Sequence, residues 1–150
     1  MNKLIAEDIQ SIIHSIRKEA KVFEGKTILI SGGCGFLGSY FVATFLELNK
    51  KVLKEPCKVI VMDNYITSAE ENSIIDNKDP HFTLMTQDVR NPLPHKLKAD
   101  YLIHAAGLAS PFYYRKFPLE TIEVAVNGTK NFLEFAKSKK VKSMLYFSSS

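Results

Sequence analysis

The stretch Lys26-Thr27-Ile28-Leu29-Ile30-Ser31-Gly32-Gly33-Cys34-Gly35-Phe36-Leu37-Gly38 decides how this chain folds. An apolar run stops abruptly at a turn with glycines at 32, 35 and 38. Residues 26–31 read as a buried strand and residues 36–49 as a helix. At this G-x-x-G-x-x-G spacing each glycine has a separate task. One makes the tight turn, one lets backbone approach a pyrophosphate, and one lets helix and strand pack closely. The mouth of the helix then offers unpaired N–H groups and a positive dipole end to the phosphates.

Downstream of the turn the pattern alternates. Residues 58–63 (KVIVMD), 81–86, 100–105 (DYLIHA) and 143–148 (SMLYFS) read as four further strands. Residues 64–80 are polar, with a short helix expected near 70–75. Residues 119–138 read as one long helix with Ile122, Val126, Phe132, Leu133 and Phe135 as apolar positions. Pro92 and Pro94 cannot sit inside a sheet, because each removes a donor. Strands that alternate with helices predict a parallel sheet with right-handed crossovers. The fold expected is therefore α/β: a doubly wound, three-layer αβα sandwich of the Rossmann type, strand order 3-2-1-4-5.

Upstream, Ile5, Ile9, Ile12, Ile13 and Ile16 recur at helical spacing over residues 4–19, and Gly25 ends that segment. This amphipathic helix must bury its stripe on the domain or on a partner subunit. The division expected is a helical extension, 1–24, followed by a dinucleotide-binding domain, 25–150. A doubly wound sheet continues past its fifth strand, so a partial chain is expected.

An acid closes the second strand. A carboxylate at Asp63 accepts hydrogen bonds from the adenosine ribose hydroxyls and repels a 2′-phosphate, so NAD is expected rather than NADP. The remaining composition excludes other classes. Hydrophobic residues make up 45% and charged residues 24%, enough apolar material for a core. No apolar run is long enough to span a bilayer as a helix, and the first residues lack a secretory leader pattern, so a cytoplasmic protein without membrane contact is expected. The net charge of +4 comes from scattered lysines, which suits a phosphate-bearing ligand and not a nucleic acid. Cys34 and Cys57 lack companions at ligand spacing, and the histidines are dispersed, so reduced thiols and no metal are expected.

These motifs resemble the extended short-chain dehydrogenase/reductase family of NAD-dependent nucleotide-sugar epimerases and dehydratases. GGCGFLGS is similar to the family's TGGAGFIGS loop, with Cys34 at its alanine. MDNYITS resembles DNxxTG, with Ser68 at its glycine. Gln87-Asp88-Val89-Arg90 resembles GDVRD, and His104-Ala105-Ala106-Gly107 resembles HxAG. Ala109-Ser110-Pro111, Tyr114, Pro118, Thr121-Ile122 and Gly128-Thr129 with Asn131 are most similar to the UDP-glucuronate decarboxylase branch; 4-epimerases and 4,6-dehydratases are the alternatives. A non-catalytic NAD-binding module is the alternative of another class.

The resemblance implies the site. Cofactor contacts fall to Gly32, Gly35, Phe36, Leu37, Gly38, Asp63, Asn64, Ile66, Thr67, Asp88, Val89, Ala105, Ala106 and Gly107, with Asp88 meeting the adenine amino group. Leu93, Ser110, Tyr114 and Asn131 fall on the side of the nucleotide sugar, a UDP-sugar. Ser149 or Ser150, in Phe147-Ser148-Ser149-Ser150, holds the place of the hydroxyl that orients the sugar 4-OH. In the family a tyrosinate, assisted by a lysine, takes the 4-OH proton while hydride leaves C4 for NAD. Tyr40, Tyr65, Tyr101, Tyr113 and Tyr114 have no lysine four residues on, so this chain lacks the family's Tyr-x-x-x-Lys pair and is expected to be inactive alone. Ala125 stands at the asparagine of the family's N-x-x-G-T helix, and Glu123 where decarboxylases often carry lysine. A homodimer is implied for the full-length form. His104 is expected as a packed histidine beside the cofactor.

Overall fold

A computed structural model describes residues 3–67 and 74–148. Ser68, at the last place of the DNxxTG-like turn, lies outside the described residues. So do Ser149, Ser150 and most of the short helix expected near 70–75.

The elements follow in order: α1 (Lys3–Ile16), a 3₁₀ segment (Glu19–Phe23), β1 (Thr27–Ser31), α2 (Phe36–Lys51), β2 (Lys58–Asp63), β3 (Phe82–Thr86) and β4 (Tyr101–His104). Then come α3 (Pro111–Lys116), α4 (Pro118–Glu123), a π-helical stretch (Val124–Gly128), α5 (Thr129–Lys139) and β5 (Ser143–Tyr146). All strands pair in parallel, in the order β3-β2-β1-β4-β5. This is the predicted topology. The strand order reverses between β1 and β4, and the crevice outside the strands' carboxyl ends at that point is where such sheets bind ligands.

Strand geometry explains why the central strands are apolar throughout. Successive side chains point to opposite faces, and both faces are covered. Ile28, Ile30, Val59, Val61 and Ile103 pack on one face with Val42, Phe45 and Leu46 of α2. Leu29, Met62 and Leu102 pack on the other with Val124, Phe132 and Phe135.

The stripe of α1 finds its partner within this chain. Ile9 and Ile13 are buried in the same cluster as Ile28 and Val42. Tyr40 on α2 donates its hydroxyl proton to Asp8 Oδ2 at 3.1 Å. Phe23, from the 3₁₀ segment, sets its ring edge-on to both Phe45 and Tyr101, at centroid distances of 5.1 and 5.0 Å.

Three readings are corrected. The α-helix expected over 4–19 ends at Ile16 and tightens into 3₁₀ geometry before Gly25, which takes a left-handed φ of 64°. The single helix expected over 119–138 is α4 and α5 joined by the wider π-helical turn. The segment around Pro111, to which the sequence reading assigns no element, forms α3 with proline in its first turn, where a missing N–H costs nothing. Four strands are also one or two residues shorter than expected: β1 and β3 begin one residue later, at Thr27 and Phe82, β4 is trimmed at both ends to Tyr101–His104, and β5 ends at Tyr146. Cys34 and Cys57 are buried thiols outside any disulfide, as expected.

Candidate functional site

The glycine turn is built by sterics. Gly32 sits at a left-handed φ of 68°, and a Cβ there would lie 2.7 Å from the backbone of Ala105 and Ala106. A Cβ on Gly38 would fall 2.0 Å from the Gly32 carbonyl oxygen, so α2 can approach β1 this closely only with glycine at 38. Gly35 caps α2 without a side chain, and no acid occupies the first turn. Helix geometry leaves the first amides of α2 without intrahelical acceptors, and the N-cap residue Gly35 brings no side-chain cap to them.

Next to this turn, β2 delivers Asp63. Its carboxylate is buried and held from two sides. Cys34 N–H donates to Oδ2 at 2.9 Å and Tyr65 N–H to Oδ1 at 2.9 Å. Burial first, then the nearby charge of Asp63, push the Cys34 thiol up to about 12. Cys34 is therefore a protonated thiol, not a nucleophile.

Gly32, Gly35, Asp63, Asn64, Ile66, Thr67, Asp88, Val89, Ala105, Ala106 and Gly107 all line one crevice at the carboxyl ends of the strands. A Cβ at Gly107 would meet nothing within 4 Å, so the protein's own packing does not demand glycine there. Room for a ligand's close approach is the remaining reason for one. The first cofactor-site prediction is thus one connected surface.

Other predicted residues stand elsewhere. The side chains of Phe36 and Leu37 are exposed, at 76% and 50%, and face a groove on the opposite side of α2; only their backbone lies at the helix mouth. Gly38 is buried against the turn. Leu93 is buried in the second core cluster. Ser110 precedes α3 and accepts the Tyr113 and Tyr114 amides through its carbonyl. Tyr114 is exposed on α3. Asn131 Nδ2 donates to the Val89 carbonyl at 2.9 Å, tying α5 to the loop after β3. None of these four residues lines the crevice.

Asp88 has more partners than the sequence announces. Its Oδ2 accepts from Asn64 Nδ2 at 3.0 Å and from Arg90 Nε and Nη2 at 3.0 and 2.8 Å. Burial alone would raise the Asp88 carboxyl. Bonds from the Arg90 side chain and amide, and from Asn64, outweigh it and hold the group below the usual carboxylate range. Arg90 Nη1 also reaches Glu123 Oε2 at 2.6 Å. Arg90 and Glu120 also line the crevice, and neither is among the cofactor contacts that the resemblance implies.

His104 is packed as expected, 1% exposed and stacked on Phe132 at 4.6 Å between ring centroids. Ser31 Oγ lies 2.5 Å from its Nδ1 and accepts the Ala106 N–H at 3.4 Å. With Nδ1 accepting the serine proton, the imidazole proton sits on Nε2, which is buried and has no hydrogen-bond partner among the described residues. Burial lowers the pKa of His104 to about 4, so the ring is neutral near pH 7.

A larger groove, about 880 Å³, lies apart from this crevice. It runs between α1, α2 and one face of β4 and β5, with largely apolar walls such as Ile12, Phe41 and Leu145. Gly32, Gly35 and Asp63 do not line it, so the chemistry points to the smaller crevice. Among the described residues no cluster could hold a metal ion, and no helix is long and apolar enough to cross a membrane.

Comparison with known proteins places residues 28–150 in the NAD dependent epimerase/dehydratase family. UDP-glucuronic acid decarboxylase 3 of Arabidopsis thaliana is 41% identical over 110 residues, covering 73% of this chain and 30% of the relative. The UDP-N-acetylglucosamine 4-epimerase of Methanobrevibacter ruminantium, solved with UDP-N-acetylmuramic acid, superposes with a TM-score of 0.69 at 25% identity, over 85% of this chain and 39% of that one. The dTDP-glucose 4,6-dehydratase of Streptomyces venezuelae, solved with NAD bound, gives 0.67 at 25% identity, over 79% and 38%. The chain thus spans roughly a third of the length of these proteins.

Proposed function

The chain belongs to the NAD dependent epimerase/dehydratase family, and we propose that it is the NAD-binding part of an enzyme that decarboxylates UDP-glucuronate. The observation that carries the cofactor reading is the placement of Asp63. Its carboxylate is fixed at the end of β2 beside the glycine turn, both within one crevice. What favours decarboxylation over the family's other reactions is the 41% identity to a UDP-glucuronic acid decarboxylase, together with the Ser110-Pro111, Tyr114 and Asn131 pattern.

The residues divide the work by their chemistry. The amides at the start of α2, around Phe36 and Leu37, offer donors to the two phosphates, and Gly35 lets them come close. Asp63 takes the adenosine ribose hydroxyls. Asn64, Ile66, Thr67, Asp88 and Val89 form the wall for the adenine end. Ala105, Ala106 and Gly107 keep the floor low for the nicotinamide end. Bound NAD supplies a reversible hydride acceptor for the sugar C4. Leu93, Ser110, Tyr114 and Asn131 lie toward the nucleotide sugar, and Ser149 or Ser150 orients its 4-hydroxyl.

Two measurements test this. Titration calorimetry is expected to give tighter binding of NAD than of NADP, and Asp63→Asn is expected to weaken NAD and narrow that gap. Equal affinities before and after the substitution would remove Asp63 from the site. The full-length protein is expected to release carbon dioxide from UDP-glucuronate. Interconversion of UDP-sugars, or a stable 4-keto-6-deoxy product, without carbon dioxide would replace the decarboxylase reading with an epimerase or a dehydratase.

A further inference from the structure

We propose that Arg90 is a positioning residue for the base of the cofactor: it occupies Oδ2 of Asp88, leaves Oδ1 as the acceptor for a ligand, and so makes the crevice prefer adenine to a purine with a carbonyl in place of the amino group. The inference rests on the NAD reading above and deepens it at the adenine end.

The two oxygens of Asp88 are unequally used. Oδ2 accepts from Asn64 Nδ2 at 3.0 Å, from Arg90 Nε at 3.0 Å and from Arg90 Nη2 at 2.8 Å. Oδ1 accepts the Arg90 amide at 2.9 Å, its one donor among the described residues. A carboxylate has about four acceptor positions, split evenly between its oxygens. Oδ2 is therefore filled, and the position that remains is on Oδ1. Asn64, Asp88 and Arg90 all line the crevice, so a ligand N–H that meets this carboxylate does so at Oδ1.

The arrangement is anchored on both sides. Arg90 Nη1 reaches Glu123 Oε2 at 2.6 Å, so each nitrogen of the guanidinium has an acidic partner. Asn64 Oδ1 accepts the Ile66 N–H at 3.2 Å, which directs Nδ2 toward Asp88. Asp88 is thus fixed from the loop after β2, from its own loop and, through Arg90, from α4. The bonds from Arg90 and Asn64 hold its carboxyl below the usual carboxylate range, so near pH 7 it accepts and does not donate. An oriented, ionised acceptor attracts the exocyclic amino group of adenine. It repels the carbonyl oxygen that hypoxanthine carries at the same ring position.

The test is titration calorimetry of the full chain with NAD and with nicotinamide hypoxanthine dinucleotide, on the wild type, Asp88→Asn, Arg90→Ala, Arg90→Lys and Glu123→Ala. The readout is the ratio of the two affinities within each protein, which a general loosening of the fold does not move, because both ligands then lose alike. The wild type is expected to prefer NAD by about tenfold or more. Asp88→Asn is expected to bring the ratio within about threefold of one, since a side-chain amide turns either its oxygen or its nitrogen to the base. Arg90→Ala is expected to lower the ratio by about three- to tenfold. Arg90→Lys keeps the charge and returns one donor to Oδ2, and its ratio is expected between those of the wild type and the alanine variant. Glu123→Ala leaves the bonds from Arg90 to Asp88 in place and is expected to keep the ratio. A wild type that binds both dinucleotides equally overturns the proposal, and so does a ratio unchanged in both Arg90 variants. A ratio that falls as far in Glu123→Ala as in Arg90→Ala overturns it too, because the integrity of the wall and not the aim of Asp88 would then set the preference. Wild-type protein that binds neither dinucleotide would instead overturn the cofactor reading itself.

Discussion

Arg90 Nη1 lies 2.6 Å from Glu123 Oε2, which joins the loop after β3 to the end of α4 across 33 residues of sequence. The same guanidinium grips Asp88 through Nε and Nη2. The two halves of this arrangement differ in worth. The Glu123 side chain is 48% exposed, so its bond works against solvent and rotamer entropy, whereas Asp88 is only 17% exposed. Glu123→Ala is expected to cost no more than about 1 kcal/mol in denaturant unfolding. Arg90→Ala is expected to cost about 1.5–3 kcal/mol, because it strips a half-buried carboxylate of its charged partner. Equal costs for the two would show that the bond to Glu123 carries the pair.

Two glycines of the candidate site separate stability from binding. Gly38→Ala drives a methyl into the Gly32 carbonyl and is expected to destabilise by about 3 kcal/mol or more. Gly107→Ala meets open space and is expected to leave the melting temperature within about 2 °C, as for an uncrowded surface change. Its methyl would instead obstruct the cofactor, with NAD affinity reduced at least tenfold in titration. Unimpaired NAD binding by Gly107→Ala would place the nicotinamide end elsewhere.

The pH dependence of stability has a defined sign. His104 titrates near 4 when folded, against an ordinary value of 6.5, because burial disfavours its charged form. Between those values the unfolded chain binds the extra proton. The contribution is therefore complete above pH 6.5 and is lost as pH falls toward 4, by about 3 kcal/mol at most. Stability curves for wild type and His104→Asn are expected to differ in slope across this window, the variant being flatter. Parallel curves would show that the imidazole is solvated.

The sheet was legible because both of its signals are local. Apolar runs such as Val59–Met62 mark strands covered on two faces, and the turn from Ser31 to Gly38 fixes where the first crossover begins. The floor and wall of the crevice followed from motif positions. What the sequence concealed depends on distance or direction. Arg90 and Glu123 meet only once the strands are ordered. The periodicity from Leu119 to Ser138 continues through the π-helical stretch, so apolar spacing does not reveal it. A motif put Phe36 and Leu37 at the helix mouth, but it does not specify where their side chains turn. The proline at 111 was a helix-start signal that the polar and aromatic residues around it masked.

Ile9 and Ile13 occupy the interior beside Ile28 and Val42, so the smallest cooperative unit begins at α1 and not at the first strand. A recombinant version trimmed to start near Thr27 would leave a greasy trough over α2 and invite self-association. Heat or protease that peels α1 away would loosen the layer on which the glycine turn rests, so nucleotide occupancy and integrity of the amino-terminal helix should rise and fall together.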